Sequence, residues 1–240
     1  MFENLRSRLF GDVSAAETNT GSDAGPTVGQ RQAAVARFDV TPFQSEFDLD
    51  QLGVLTSAPV WMTRAERLTL FTLAFCLRPS RYMEIGTLKG GSALIVASAM
   101  AALGGDGRIF CVDPEPRVAP EDWARLESRA RMFRGFSPQI LPEVAAAAGG
   151  PFDLVLIDGD HSYHGAVRDA NGVLPFMAHG GYILFHDAFF PDVRKAIDEF
   201  VLSHRAAVTD LGVMTREVTT TADPLGTTVE WGGLRLVYVH

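Results

Sequence analysis

The sequence predicts an α/β fold with a doubly wound, mostly parallel sheet and an antiparallel C-terminal edge strand. Three observations carry that reading. From Arg81 onward, short apolar runs alternate with helix-length segments at regular spacing. Four of the runs end at or beside an acid: Glu84, Asp113, Asp158 and the His186-Asp187 pair. Beyond His204 the helical segments give way to two strand-like runs, V-T-D-L-G-V-M and G-L-R-L-V-Y-V, around the turn-rich T-T-T-A-D-P-L-G. Such a closing pair adds antiparallel pairing to a sheet otherwise built from βαβ units.

Residues 1–36 read as a flexible arm, because S-A-A-E-T-N-T-G-S-D-A-G-P-T-V-G-Q is polar, glycine-rich and aperiodic. Residues 37–79 read as an N-terminal helical cap segment. Within it Thr63 and Glu66 have capping-box spacing, and Leu68, Phe71, Leu73 and Phe75 offer an apolar surface before Arg78-Pro79 ends the helix. Residues 80–240 read as the main domain. Its first unit, R-Y-M-E-I-G-T-L-K-G-G-S (81–92), is an apolar strand, a glycine turn and the start of a small-residue helix. R-I-F-C-V-D (108–113) is a buried strand stopped by Pro114, residues 120–134 read as a helix, and Gln139-Ile140-Leu141 as a short strand. F-D-L-V-L-I-D (152–158) is the next strand. A helix over about 163–178, the strand Y-I-L-F-H and an amphipathic helix over 192–204 follow.

A chain of 240 residues with 47% hydrophobic content can bury a full core in one large domain. Its net charge of -8 argues against a nucleic-acid or anionic-membrane partner. Cys76 and Cys111 sit in apolar segments and are expected to be buried, reduced thiols, which suits a cytoplasmic location. The first residues lack an uninterrupted apolar core, and no later stretch is a charge-free span, so a soluble protein is expected.

In an open parallel sheet, ligands sit beyond the carboxyl ends of the strands, where the four acids fall. One strand-end Asp is ordinarily a turn former; four at a common rim point to a site. Asp113 stands where a carboxylate accepts hydrogen bonds from ribose hydroxyls, although Asp113-Pro114 also suits a plain turn. Asp158-Gly159-Asp160-His161 puts two carboxylates and a histidine within four residues, enough to hold a divalent cation or move a proton. His161 is the candidate general base. Asp158, Asp187 and Asp160 would suit Mg²⁺, and adding His186 would shift the preference toward a transition metal. Read alone, Glu84 is equally a strand-end acid capping amides, and His186 a core-edge histidine bonded to a carboxylate. Phe189 and Phe190 suit a pocket wall or the core.

E-I-G-T-L-K-G-G-S, C-V-D-P, D-L-V-L-I-D-G-D-H-S-Y and G-G-Y-I-L-F-H-D, in that order, resemble the motifs of class I S-adenosylmethionine-dependent methyltransferases. The branch they are most similar to is the small-molecule O-methyltransferases, of the catechol and caffeoyl-CoA kind and the bacterial sugar- and antibiotic-tailoring kind. The resemblance covers about 80–205 and implies a Rossmann-like fold. It implies S-adenosyl-L-methionine bound by Glu84, Gly86, Thr87, Gly90, Ser92, Asp113 and Asp158, with Ser92 at the cofactor carboxylate and Asp113 on the ribose. It implies His161 and Asp158 as catalytic residues, and Asp158, His186 and Asp187, with Asp160 as a further oxygen, as ligands of Mg²⁺ or another divalent cation. A small-molecule hydroxyl acceptor such as a sugar, natural product or phenolic follows, with a homodimer left open. Two departures stand out: Lys89 lies inside the glycine turn, and His186 replaces a carboxylate. A nicotinamide-dependent oxidoreductase and a metal-dependent hydrolase are the alternatives the same residues allow.

Overall fold

The strand spacing places β1 (Arg81–Ile85), β2 (Arg108–Asp113), β3 (Ala130–Arg134), β4 (Phe152–Ile157), β5 (Met177–Phe185), β6 (Val208–Val213) and β9 (Arg235–Val239) in one sheet. Their order is β3-β2-β1-β4-β5-β9-β6. β1 pairs parallel with both β2 and β4, and β9 pairs antiparallel with β5 and β6. The antiparallel C-terminal strand is therefore present, one place in from the edge, with β6 outside it. A separate two-stranded ribbon joins β7 (Thr219–Ala222) to β8 (Thr228–Trp231). The computed structural model describes residues 52–222 and 228–240, all within the unit Gln44–His240. The arm expected over 1–36, and the cap segment up to residue 51, lie outside the described residues.

Helices α1 (Val54–Ser57), α2 (Arg64–Leu77), α3 (Gly91–Ala102), α4 (Pro120–Leu126), α5 (Leu141–Ala148), α6 (Tyr163–Val173) and α7 (Pro191–Ser203) connect or cover these strands. Strand alternation divides the core by sheet face. Tyr82, Cys111, Leu154 and Leu184 share one cluster with α2 and α3; Met83, Val112, Val155 and Ile183 share the other with α5, α6 and α7. Helix α3 is apolar or small on nearly every side because it lies against the sheet and under α2. The capping box of α2 forms as expected: Thr63 accepts from Glu66 N, and Glu66 Oε2 accepts from Thr63 N at 2.7 Å.

Several local expectations change. Residues 120–134 are not one helix, because α4 stops at Leu126 and 130–134 form β3. There Ala130 and Met132 pack into one cluster and Phe133 into the other, a period of two that A-R-M-F-R conceals. Gln139-Ile140-Leu141 is a turn into α5, held by Ile140 N donating to Phe136 O and Leu141 N to Pro138 O. The apolar face of α2 centres on Leu70, Phe71 and Ala74, which leaves Leu68 exposed. Cys111 is buried, but Cys76 is exposed. No helix among the described residues is long and apolar enough to cross a membrane.

Candidate active site

The sheet order reverses at β1, since β2 lies on one side of it and β4 on the other. That switch point opens a crevice beyond the strand ends. Its volume is 540 Å³, within the roughly 300–1,000 Å³ of small-molecule sites. The turn after β1 shapes it. Gly86 has φ +94°, and a Cβ there would lie 2.0 Å from the carbonyl oxygen of Asp158. Only glycine lets the ends of β1 and β4 approach this closely. Asp113 holds the same turn from β2: Oδ2 accepts from Leu88 N at 2.8 Å and Oδ1 from Glu115 N at 2.7 Å.

Gly86, Thr87, Ser92, Asp113 and Asp158 border the crevice, whereas Glu84 and Gly90 do not. Gly90, at φ +78°, packs on Val118. Glu84 is fully buried behind the wall, where Tyr82 Oη donates to its Oε2 at 3.1 Å. Burial, partly offset by the hydroxyls of Ser92, Thr87 and Tyr82, pushes its pKa up to about 7 from 4.5. A carboxyl raised on folding stabilises the fold fully below its unfolded pKa, and that contribution is lost as pH rises to the folded value. Wild type should therefore lose roughly 3 kcal/mol relative to Glu84→Gln between about pH 4.5 and pH 7. Denaturant midpoints of the two proteins across that range check it; parallel curves would show that Glu84 does not titrate there.

At the other end of the crevice Asp158, His161, His186 and Asp187 bring one ligand atom each within 4.8 Å of one another. His161 Nε2 lies 2.8 Å from Asp187 Oδ2 and 3.5 Å from Asp158 Oδ1. His186 Nδ1 lies 2.9 Å from Asp158 Oδ1 and 3.2 Å from Asp187 Oδ2. Hydrogen bonds to Asp158 and then Asp187 push His161 up to about 9 despite burial. Burial would lower His186, but the charge of Asp158 and its carboxylate neighbours raise it well above the usual range. Burial opposes ionisation of Asp187, yet hydrogen bonds from His161 and His186 hold it far below an ordinary carboxyl. With the carboxylates ionised, His161 Nε2 is the donor to Asp187; below about pH 9 Nδ1 carries a proton as well, and it offers a lone pair only once the ring is neutral.

Asp160 borders the crevice but stands outside this cluster; its Oδ1 accepts from Ser162 N at the start of α6. His161, not Asp160, is the fourth residue of this group. Phe190 does not border the crevice: it stacks on Trp231 at 4.5 Å, and Trp231 meets the His161 ring edge-on at 5.7 Å. Four participants were not legible in the sequence. Glu66 Oε2 faces His186 Nε2 at 3.5 Å, a second role hidden behind its capping-box reading. Asp169, buried on α6, borders the crevice, and burial pushes it up to about 6. Val60 and Trp61, just before α2, close the near side.

Residues 83–188 match the methyltransferase-domain family. Over that stretch the chain is similar to methyltransferase domains. Over 93 residues it is 31% identical to a catechol O-methyltransferase of Niastella koreensis, covering 37% of this chain and 41% of that protein. It is 34% identical over 96 residues to a catechol O-methyltransferase of Mycobacterium tuberculosis, covering 38% and 41%. The chain thus spans about two fifths of each relative's length. The domain's fold is that of an O-methyltransferase from Bacillus cereus solved with S-adenosylhomocysteine, at TM-score 0.58 and 18% identity over 86% of this chain and 94% of that one.

Proposed function

We propose that the protein transfers a methyl group from S-adenosylmethionine to a hydroxyl oxygen of a small molecule. One observation carries the reading: the turn held by Asp113 and the Asp158–His161–His186–Asp187 cluster border a single crevice at the switch point. The cofactor supplies an already activated methyl, so the protein's work is alignment and proton removal. The carbon–sulfur bond breaks as the oxygen–methyl bond forms, and the acceptor's proton passes to Nδ1 of the neutral form of His161, so turnover should rise as pH approaches about 9. Asp113 accepts from the ribose hydroxyls, and Ser92 in the first turn of α3 meets the carboxylate. Asp187 holds the His161 ring for the proton transfer. Sugars, natural products and phenolics are the acceptors in view, in a cytoplasmic setting.

The cluster also fits a divalent cation. Two imidazole nitrogens among two carboxylates suit a transition-metal ion better than Mg²⁺. The far nitrogen of His186 faces a buried carboxylate, as ligating histidines commonly do. Such an ion, when bound, would polarise an acceptor hydroxyl and ease its deprotonation. Asp158, His161, His186 and Asp187 would hold it.

Calorimetric titration with S-adenosylhomocysteine and with NAD tests the assignment. Wild type should bind the former and not the latter. Asp113→Ala should raise the S-adenosylhomocysteine Kd about 10- to 100-fold, the value of one or two hydrogen bonds to a charged acceptor. Binding of NAD alone would replace methyl transfer with hydride transfer.

A further inference from the structure

We infer that Arg67 is a positioning residue for the cofactor crevice, holding the strap Ala58–Met62 closed across the start of α3; the inference rests on the methyltransferase reading. Arg67 lies on the first turns of α2, away from the crevice lining. Its guanidinium donates to four backbone carbonyls: Nη1 to Leu55 O at 3.1 Å and Ala58 O at 3.0 Å, Nη2 to Val60 O at 2.6 Å, and Nε to Met62 O at 2.9 Å. No acid among the described residues pairs with it in an ion pair. All its charge-assisted bonds are spent on one short non-helical segment and the helix turn before it.

That segment forms one wall of the crevice through Pro59, Val60 and Trp61. It lies so close to α3 that a Cβ on Gly91 would be 2.6 Å from the Pro59 carbonyl carbon and 2.7 Å from Val60 N. A glycine on one side and a four-bonded arginine on the other therefore set the height of the strap between its buried ends. Ala58 and Met62 bury the two ends of the strap in the core, but at its middle Trp61 is 78% exposed and adds no apolar anchor there. Without Arg67 the closed strap becomes one of several conformations, and apparent affinity falls by the fraction still closed.

The test compares wild type, Arg67→Ala and Gly91→Ala by calorimetry with S-adenosylhomocysteine and by amide hydrogen exchange. Arg67→Ala should raise the Kd at least about tenfold, through a fall in the closed fraction, while exchange accelerates in residues 55–63 and stays slow in β1 and β4. Gly91→Ala keeps the arginine but lifts the strap, and should raise the Kd likewise, so a poorly folding Arg67→Ala leaves the inference testable. A Kd within about twofold of wild type in either folded variant overturns it, as does unchanged exchange over 55–63 in Arg67→Ala. Wild type that fails to bind S-adenosylhomocysteine at all overturns the proposed function instead.

Discussion

Replacing His161 with alanine should lower turnover by about 10²- to 10⁴-fold, the usual contribution of a positioned general base, with little change in S-adenosylhomocysteine affinity. The geometry sets both halves of that expectation. His161 is held by Asp187 at 2.8 Å and braced edge-on by Trp231, so its ring is oriented before any acceptor arrives. Asp113 and the Gly86 turn, which serve the proposed cofactor end, come from β1 and β2 and do not depend on it. Truncation leaves His186 to satisfy Asp158 and Asp187, so the fold should persist. Single-turnover rates and metal content measured together separate two roles. If His161 takes the proton, the rate falls at unchanged metal content; if it chiefly holds an ion, both fall together. Unchanged turnover would remove His161 from the mechanism.

The cluster was legible because strand-end acids repeat at the spacing of a parallel sheet, and their convergence follows from topology. Asp158 and Asp187 are placed by β4 and β5, which pair in register up to Ile157 and Phe185. What stayed hidden came from outside that repeat. Glu66 and Arg67 sit on a helix whose sequence advertises only a capping box, while their contacts run to His186, Gly233 and the strap. The link from Glu66 Oε1 to Gly233 N joins residues far apart in the chain, and no local pattern encodes it. Gly233 only opens the strand-like run G-L-R-L-V-Y-V and Gly232 stands outside it, yet Gly232 N donates to Asp187 Oδ1 and ties the C-terminal ribbon to the site. β3 was missed for the opposite reason. Its A-R-M-F-R carries strong helix formers, and pairing with β2 overrides that propensity.

Gly86→Ala should be the most damaging single-methyl change in the crevice. At φ +94° an alanine sits in a region that L-residues avoid, at about 1–2 kcal/mol. The added Cβ would also lie 2.0 Å from Asp158 O and 2.9 Å from Gly159 N, both backbone atoms that cannot rotate away. Overpacking of this kind costs a further ~1–3 kcal/mol. Relief requires the end of β4 to move from β1, against the 2.9 Å bond from Asp158 N to Ile85 O, or Gly86 to move, against its own 2.9 Å bond to Val112 O on β2. A total near 4 kcal/mol corresponds to a fall in Tm of roughly 10 °C for a chain of this length. Moving Asp158 also drags its partner His186 and the contact with His161 out of register. Cofactor affinity and turnover should therefore fall with stability, unlike the His161 variant, in which turnover alone is lost. Differential scanning calorimetry beside S-adenosylhomocysteine titration distinguishes the two. A Gly86→Ala protein with wild-type Tm and Kd would mean that the β1 and β4 ends are not in this close contact, and the crevice would have to be redrawn.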